Sequence, residues 1–86
     1  MDNRLTQIRK EIDRLDDELL GLLIKRLKLG KEIAEVKREI GKAVADEERE
    51  KEIFQRLIKN AGNKMPEENV IEIFSKILKI SRKIQK

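Results

Sequence analysis

The chain contains neither histidine nor cysteine, so its chemistry has to come from lysine, arginine, carboxylates, hydroxyls and amides. This excludes His-based triads, thiol nucleophiles, disulfides and the usual zinc sites. Arg26 is the first candidate, because it interrupts an apolar helical pattern, and Lys37 follows it eleven residues later on the same predicted helix. Their eleven-residue separation returns to within about 20° of one helix face, about 16.5 Å along it, where two cations can clamp an anion. Taken alone, Arg26 is explained more simply as a polar residue that sets the register of packed helices, or as an arginine at the edge of the apolar seam whose charged end reaches solvent.

Two later helical stretches add five polar residues to faces that are otherwise apolar. They are Asp46, Arg49, Glu50, Ser81 and Gln85. The first three open one stretch at spacings that share a face, and the last two, four residues apart, also face one direction. Considered singly, each is explained more simply as a polar residue at an exposed helix end, or as a core hydroxyl with its hydrogen bonds satisfied. Together, three helices that each bring polar groups to an apolar face predict one small, buried, strongly cationic pocket.

A long N-terminal helix must hold Arg26 and Lys37. Leu, Ile and Val recur at steps of four and three from residue 8 to residue 40, and nine of ten positions in this seam are apolar. Asp2 or Asn3 is the expected cap and Gly41 the expected end, which gives a helix of roughly 57 Å. A compact chain of this length has a diameter of about 31 Å, so a partner chain has to cover the rest.

Shorter helices follow the long one. Residues 41–45 are predicted as a connector, Asp46 as the cap of a second helix, Gly62 as its end, and Pro66 as the first residue of a third helix. The sequence therefore predicts an all-α fold of long, short and medium helices in an intertwined homodimer. Its length fits a single domain, residues 1–86.

The distribution of charge argues against a nucleic-acid partner, although the net charge is +4. Five cations and no acid occupy the last eleven residues: Lys76, Lys79, Arg82, Lys83 and Lys86. The rest of the chain holds 16 basic and 17 acidic residues. Cations at the end of a terminal helix complement its dipole, and two aromatic residues offer little for base stacking. No apolar run has the length of a signal or a membrane span. We expect a cytoplasmic protein with neither a nucleic-acid nor a membrane partner.

Over essentially its whole length, the chain resembles the all-helical (AroQ) class of chorismate mutases. The run at residues 8–16, Ile-Arg-Lys-Glu-Ile-Asp-Arg-Leu-Asp, is similar to the family's first-helix signature. The two first-helix cations, the Asp-x-x-Arg-Glu of helix two and the Ser-x-x-x-Gln of helix three also match. Eight positions agree with the family's substrate-binding residues: Arg9, Arg26, Lys37, Asp46, Arg49, Glu50, Ser81 and Gln85. The chain ends directly afterwards, so the resemblance implies a monofunctional member.

The resemblance implies rearrangement of chorismate to prephenate, on the route to phenylalanine and tyrosine, without a metal or a cofactor. This unimolecular step requires no proton transfer, but it requires a dianion held in a compact conformer and donors aimed at the ether oxygen. By the same resemblance, Arg26 and the partner subunit's Arg9 would hold the two carboxylates. Lys37 and Gln85 would donate to the ether oxygen, and with Arg26 they would be the catalytic residues.

Supporting roles and alternatives complete this interpretation. The family pattern implies that Asp46 and Glu50 receive the substrate hydroxyl, that Ser81 assists a carboxylate, and that Arg49 supports the acids.

Isochorismate pyruvate lyase needs nearly the same cationic clamp on the same scaffold and is the first alternative. A non-enzymatic basic helical module that binds nucleic acid or a protein partner is the second.

Overall fold

A computed structural model describes residues 2–43 and 46–85, and three α-helices occupy these ranges. Their bounds are Asn3–Glu39 for α1, Glu47–Ala61 for α2 and Glu67–Gln85 for α3. The predicted all-α order of long, short and medium helices is confirmed, and the described ranges contain no strand. No helix within them carries an apolar stretch long enough to cross a bilayer.

Helix α1 begins and ends where its sequence signals predict. The Asp2 carboxylate accepts a hydrogen bond from the backbone N–H of Arg4 at 2.9 Å, so it caps the helix. The Arg4 guanidinium bonded to the same carboxylate, helped by that backbone N–H, holds the pKa of Asp2 below its usual value. After the helix, Gly41 has a φ of +75°, a backbone conformation that favours glycine.

Helix α2 also has the predicted cap, whereas α3 starts one residue late. The Asp46 carboxylate accepts from the backbone N–H of Arg49 at 3.1 Å. Pro66 lies just before α3 rather than at its first position, and its carbonyl accepts from the backbone N–H of Val70 at 3.2 Å. Part of the connector predicted at residues 41–45 lies outside the described residues, namely Val44 and Ala45. So does Lys86 of the terminal cationic stretch.

The core is small and lies where α3 packs against both α1 and α2. It is built from Ala34 of α1, Ile53 of α2, and Val70, Leu78 and Ser81 of α3. These residues cover only the C-terminal half of α1. The described chain is therefore elongated, with extents of 62 × 25 × 16 Å and a radius of gyration of 16.7 Å. A compact chain of this length would have a radius of gyration of about 12 Å.

Two apolar stripes are left uncovered by the described residues. On the N-terminal half of α1 the stripe consists of seam residues that are 49–64% exposed: Ile8, Ile12, Leu15, Leu19 and Leu22. On α3 the stripe consists of Ile73, Ile80 and Ile84, which are 44–49% exposed. Apolar surface of this extent is typical of a protein interface. The homodimer itself stays a prediction.

Candidate active site

A cavity of about 520 Å³ opens between the C-terminal half of α1, the start of α2 and the end of α3. Seven polar residues with matching family positions line it: Arg26, Lys37, Asp46, Arg49, Glu50, Ser81 and Gln85. Its apolar wall is formed by Leu29, Ile33, Ala34, Ile53 and Leu78. The helix packing thus gathers on one concave surface residues that lie up to 59 positions apart in sequence.

Arg9 is the predicted site residue that the structure leaves outside this cavity. It lies exposed on α1, seventeen residues before Arg26. That separation corresponds to about 25 Å along a helix, which is too far for both side chains to hold one small ligand. If Arg9 contributes to a site, the site belongs to another chain.

Asp46 joins the start of α2 to α1. One carboxylate oxygen, Oδ1, caps α2, and the other, Oδ2, lies 3.8 Å from Nζ of Lys37. Lys37 is largely shielded from solvent, with its side chain 21% exposed. The carboxylate therefore orients the ammonium group at the cavity wall and fixes the first turn of α2 at the same time.

The side chains of Ser81 and Gln85 both lie against α1 at Gly30. The Gln85 side-chain amide Nε2 donates a hydrogen bond to Oγ of Ser81 at 3.0 Å. A Cβ atom added to Gly30 would lie 2.9 Å from both of these atoms. Gly30 therefore permits the close approach of α1 to the polar end of α3. The sequence did not single out this position, because Gly21 interrupts the same helix and a Cβ atom there would meet nothing within 4 Å.

Two further arginines line the cavity and were not predicted to do so. Nη1 of Arg82 donates to both carboxylate oxygens of Glu50, each at 2.8 Å, and so links α3 to α2. Nη2 of Arg38 donates to the backbone carbonyl of Gln85, at the last residue of α3. Arg38 is adjacent to Lys37 and Arg82 to Ser81, but neither breaks an apolar pattern, so spacing gave no signal for them.

The charge of the cavity is strongly positive. Its lining contains five cations and two carboxylates: Arg26, Lys37, Arg38, Arg49, Arg82, Asp46 and Glu50. Nη1 of Arg49 donates a hydrogen bond to Oε2 of Glu52 at 3.3 Å. An excess of three positive charges in a partly apolar cleft favours a small polyanion. Within the described ranges, the acidic side chains form no cluster suited to a metal ion.

Comparison with known proteins identifies relatives over the same span of sequence. The family described as chorismate mutase type II matches residues 8–86. A chorismate mutase of Methanocaldococcus jannaschii is 37% identical over 87 aligned positions, covering 100% of this chain and 88% of that protein. A bifunctional chorismate mutase/prephenate dehydratase of Aquifex aeolicus is 36% identical over 86 positions and 95% of this chain. The chain spans 24% of that longer protein.

Solved structures agree with these sequence relatives. The chorismate mutase of Thermus thermophilus superposes with a TM-score of 0.90 at 33% identity, covering 95% of this chain and 93% of that one. The chorismate mutase of Helicobacter pylori, solved in complex with prephenate, gives a TM-score of 0.87 at 38% identity. That match covers 98% of this chain and 91% of the other.

Proposed function

The chain belongs to the chorismate mutase type II family, and we propose that its three-helix cavity is where chorismate rearranges to prephenate. The enzyme is an isomerase, and its product leads to phenylalanine and tyrosine. One observation carries the assignment of the site: seven polar residues from three helices converge on one cationic cavity. Its volume of about 520 Å³ lies in the range that suits a small ligand.

The chemistry explains why a cavity rich in cations suffices. Chorismate is a dianion whose reactive, compact conformer brings the two ends of the new carbon–carbon bond together. Holding that conformer removes the entropic part of the barrier. As the ether bond breaks, its oxygen gains negative charge, which fixed donors stabilise in a site that excludes water. No proton has to move, so a chain without histidine is suited to the reaction.

Arg26 is assigned to one substrate carboxylate. Its guanidinium presents a planar fork that binds carboxylates with two hydrogen bonds. In the described part of the chain no acidic side chain lies within ion-pair distance of Arg26. Its donors therefore remain available for an anion that enters the cavity. Ser81 assists a carboxylate through its hydroxyl.

Lys37 and Gln85 are assigned to the ether oxygen, as the catalytic donors. Lys37 lines the cavity, and its Nζ lies 3.8 Å from Oδ2 of Asp46, which places the ammonium group at the cavity wall. Gln85 gives one amide hydrogen to Ser81 and keeps a second one. Each donor is expected to lower the barrier by roughly 3 kcal/mol, the magnitude of an oxyanion-hole hydrogen bond.

The two carboxylates and Arg49 complete the site. Glu50 and Asp46 accept the hydroxyl hydrogen of the substrate, because the hydroxyl is the hydrogen-bond donor of the chorismate dianion and carboxylates are acceptors. Arg49 lines the cavity with the other substrate-binding positions and supports the acids at the start of α2, where its backbone N–H donates to Asp46.

A homodimer supplies the missing arginine. The bare stripes on α1 and α3 offer a surface for a second copy, and the partner subunit's Arg9 is assigned to the second substrate carboxylate. In this proposal residues 1–86 act as one domain, and two complete sites form per dimer. We place the enzyme in the cytoplasm, a reducing compartment that suits a chain without cysteine.

The loss of chorismate absorbance after addition of the purified protein tests the activity directly. The protein has no tryptophan and no tyrosine, so its own absorbance interferes little. Prephenate should accumulate in proportion to the chorismate lost. Isochorismate, assayed in parallel for pyruvate release, tests the lyase alternative, because the same clamp can hold that dianion. Pyruvate release from isochorismate without turnover of chorismate would contradict the proposal.

A further inference from the structure

We infer that Arg82 is a positioning residue of this site and that it acts through Glu50; the inference rests on the proposed function. Arg82 follows the buried Ser81 on α3, and its Nη1 atom lies 2.8 Å from each carboxylate oxygen of Glu50 on α2. Both residues line the cavity. Arg82 thus holds, from across the site, a carboxylate that is assigned to the substrate hydroxyl.

Stability alone explains this ion pair poorly. The Arg82 side chain is 49% exposed and that of Glu50 is 29% exposed. Pairs with this much contact with solvent contribute little to the free energy of unfolding, because water already solvates both charges well. The effect of Arg82 is therefore expected on the arrangement of the site rather than on the fold.

The arrangement needs such a clamp because acids and cations share one small cavity. Glu50 has a flexible side chain, and a carboxylate left without a partner would turn toward the cations that have to bind the substrate. The structure gives each cavity acid its own cation: Asp46 lies beside Lys37, and Glu50 is held by Arg82. Arg26 then stays available for the substrate. The carboxylate of Glu50 still has lone pairs for a hydroxyl hydrogen, since Nη1 uses one site on each oxygen.

Steady-state kinetics on Arg82→Met test this role, with Lys83→Met as the matched control. Lys83 is exposed on the next position of α3, so the control removes the same charge without touching Glu50. Arg82→Met is expected to lower kcat/KM for chorismate about tenfold, the order of loss that follows misplacement of a substrate-contacting group. Arg82→Lys should recover part of it. The control should keep the wild-type value, and the melting temperatures of all three variants should stay close to that of the wild type.

A double-mutant cycle separates action through Glu50 from direct contact with the substrate. In the Glu50→Ala background, Arg82→Met should cause no further loss, because the group that Arg82 positions is gone. Calorimetric titration with prephenate gives the same cycle in binding free energy if turnover of Glu50→Ala is too slow to follow. An undiminished effect of Arg82→Met in that background would mean that Arg82 binds the substrate itself, and the inference would be wrong.

The outcomes also distinguish failure of the positioning role from failure of the proposed function. An active wild-type enzyme in which Arg82→Met and Lys83→Met behave alike contradicts the positioning role and leaves the proposed function intact. A wild-type protein that leaves chorismate unchanged contradicts both.

Discussion

The side-chain amide of Gln85 donates a hydrogen bond to the hydroxyl of Ser81 at 3.0 Å, one turn earlier on α3. Because Ser81 is buried, this bond fixes which edge of the amide faces the cavity. With one amide hydrogen bonded to Ser81, the orientation of the amide also fixes the direction of its second hydrogen. No group that gains or loses a proton near neutral pH takes part in this arrangement. The rate of an enzyme that relies on this donor should vary little across neutral pH.

Replacing Gln85 by glutamate should make the reaction depend on pH. A glutamic acid side chain donates a hydrogen bond only while it is protonated, and its ordinary pKa is about 4.3. Ionisation leaves an acceptor that repels the charge growing on the ether oxygen. In Gln85→Glu, kcat should therefore be low at pH 7 and rise toward acid along a single titration curve. A pH series of initial rates measures it.

Gln55→Glu is the control for that experiment, since Gln55 lies exposed on α2 and outside the cavity. It should show the pH profile of the wild type. If Gln85→Glu also turned over at the wild-type rate at neutral pH, Gln85 would not donate to the ether oxygen, and the role assigned to this end of α3 would be wrong.

Arg26→Leu should abolish activity without destabilising the protein. Leucine completes the apolar seam of α1 and removes a cation from a cavity that holds four others, so the melting temperature should rise or stay unchanged. The value of kcat/KM should fall at least about 100-fold, as expected for loss of a charged substrate contact. Lys28→Leu, at an exposed position of the same helix, should retain activity. A clear drop in the melting temperature of Arg26→Leu would instead assign Arg26 a structural ion-pair role.

Mixing two inactive chains should restore activity if sites are shared between subunits. Arg9→Ala and Arg26→Ala chains, allowed to exchange, form heterodimers in which one of the two sites has both arginines. Random pairing then gives about a quarter of wild-type activity. A mixture of Arg26→Ala with Lys37→Ala should recover nothing, since both changes damage the same half of a site. Heterodimers that are proven to form but stay inactive in the first mixture would exclude the shared site.

Two glycine-to-alanine changes in α1 should differ in their effects. A Cβ atom at Gly21 would contact nothing within 4 Å, so Gly21→Ala should stabilise the helix by about 1 kcal/mol and leave kcat unchanged. At Gly30 the same atom would lie 2.9 Å from the amide of Gln85 and the hydroxyl of Ser81, so both groups must move. Gly30→Ala should therefore stabilise less and lower kcat. Thermal melts and initial rates compare the pair, and equal kcat values would show that the contact has no effect on the reaction.

The helices were predictable because their ends are determined locally. Asp2 and Asp46 cap α1 and α2 through bonds to residues two or three positions away, and Gly41 and Gly62 end these helices with positive φ values. Pro66 was placed one residue too far into α3. Proline suits both the first helical position and the residue before it, so sequence alone does not distinguish them.

The contacts that Arg82 and Arg38 make across the cavity were less predictable. Arg82 was interpreted as one of several terminal cations that complement the helix dipole, yet it reaches across to Glu50. Arg38 likewise bonds the carbonyl of Gln85, 47 positions along the chain. Such contacts depend on the distance and rotation between packed helices, which periodicity along one helix does not contain. A residue that interrupts an apolar seam, such as Arg26, can be identified from the sequence, because burial of a charge is costly and calls for a reason.

Because the N-terminal half of α1 is uncovered in one chain, the specific activity of the enzyme should depend on its concentration. Arg9 lies on that half, so under the proposed sharing of sites a separated subunit holds no complete one. Specific activity is then governed by an association equilibrium: it falls on dilution below the dissociation constant of the pair and returns on concentration. In that dilute regime, flux rises with the square of subunit concentration, so doubling expression yields a fourfold gain, whereas a saturated dimer gives only a proportional one.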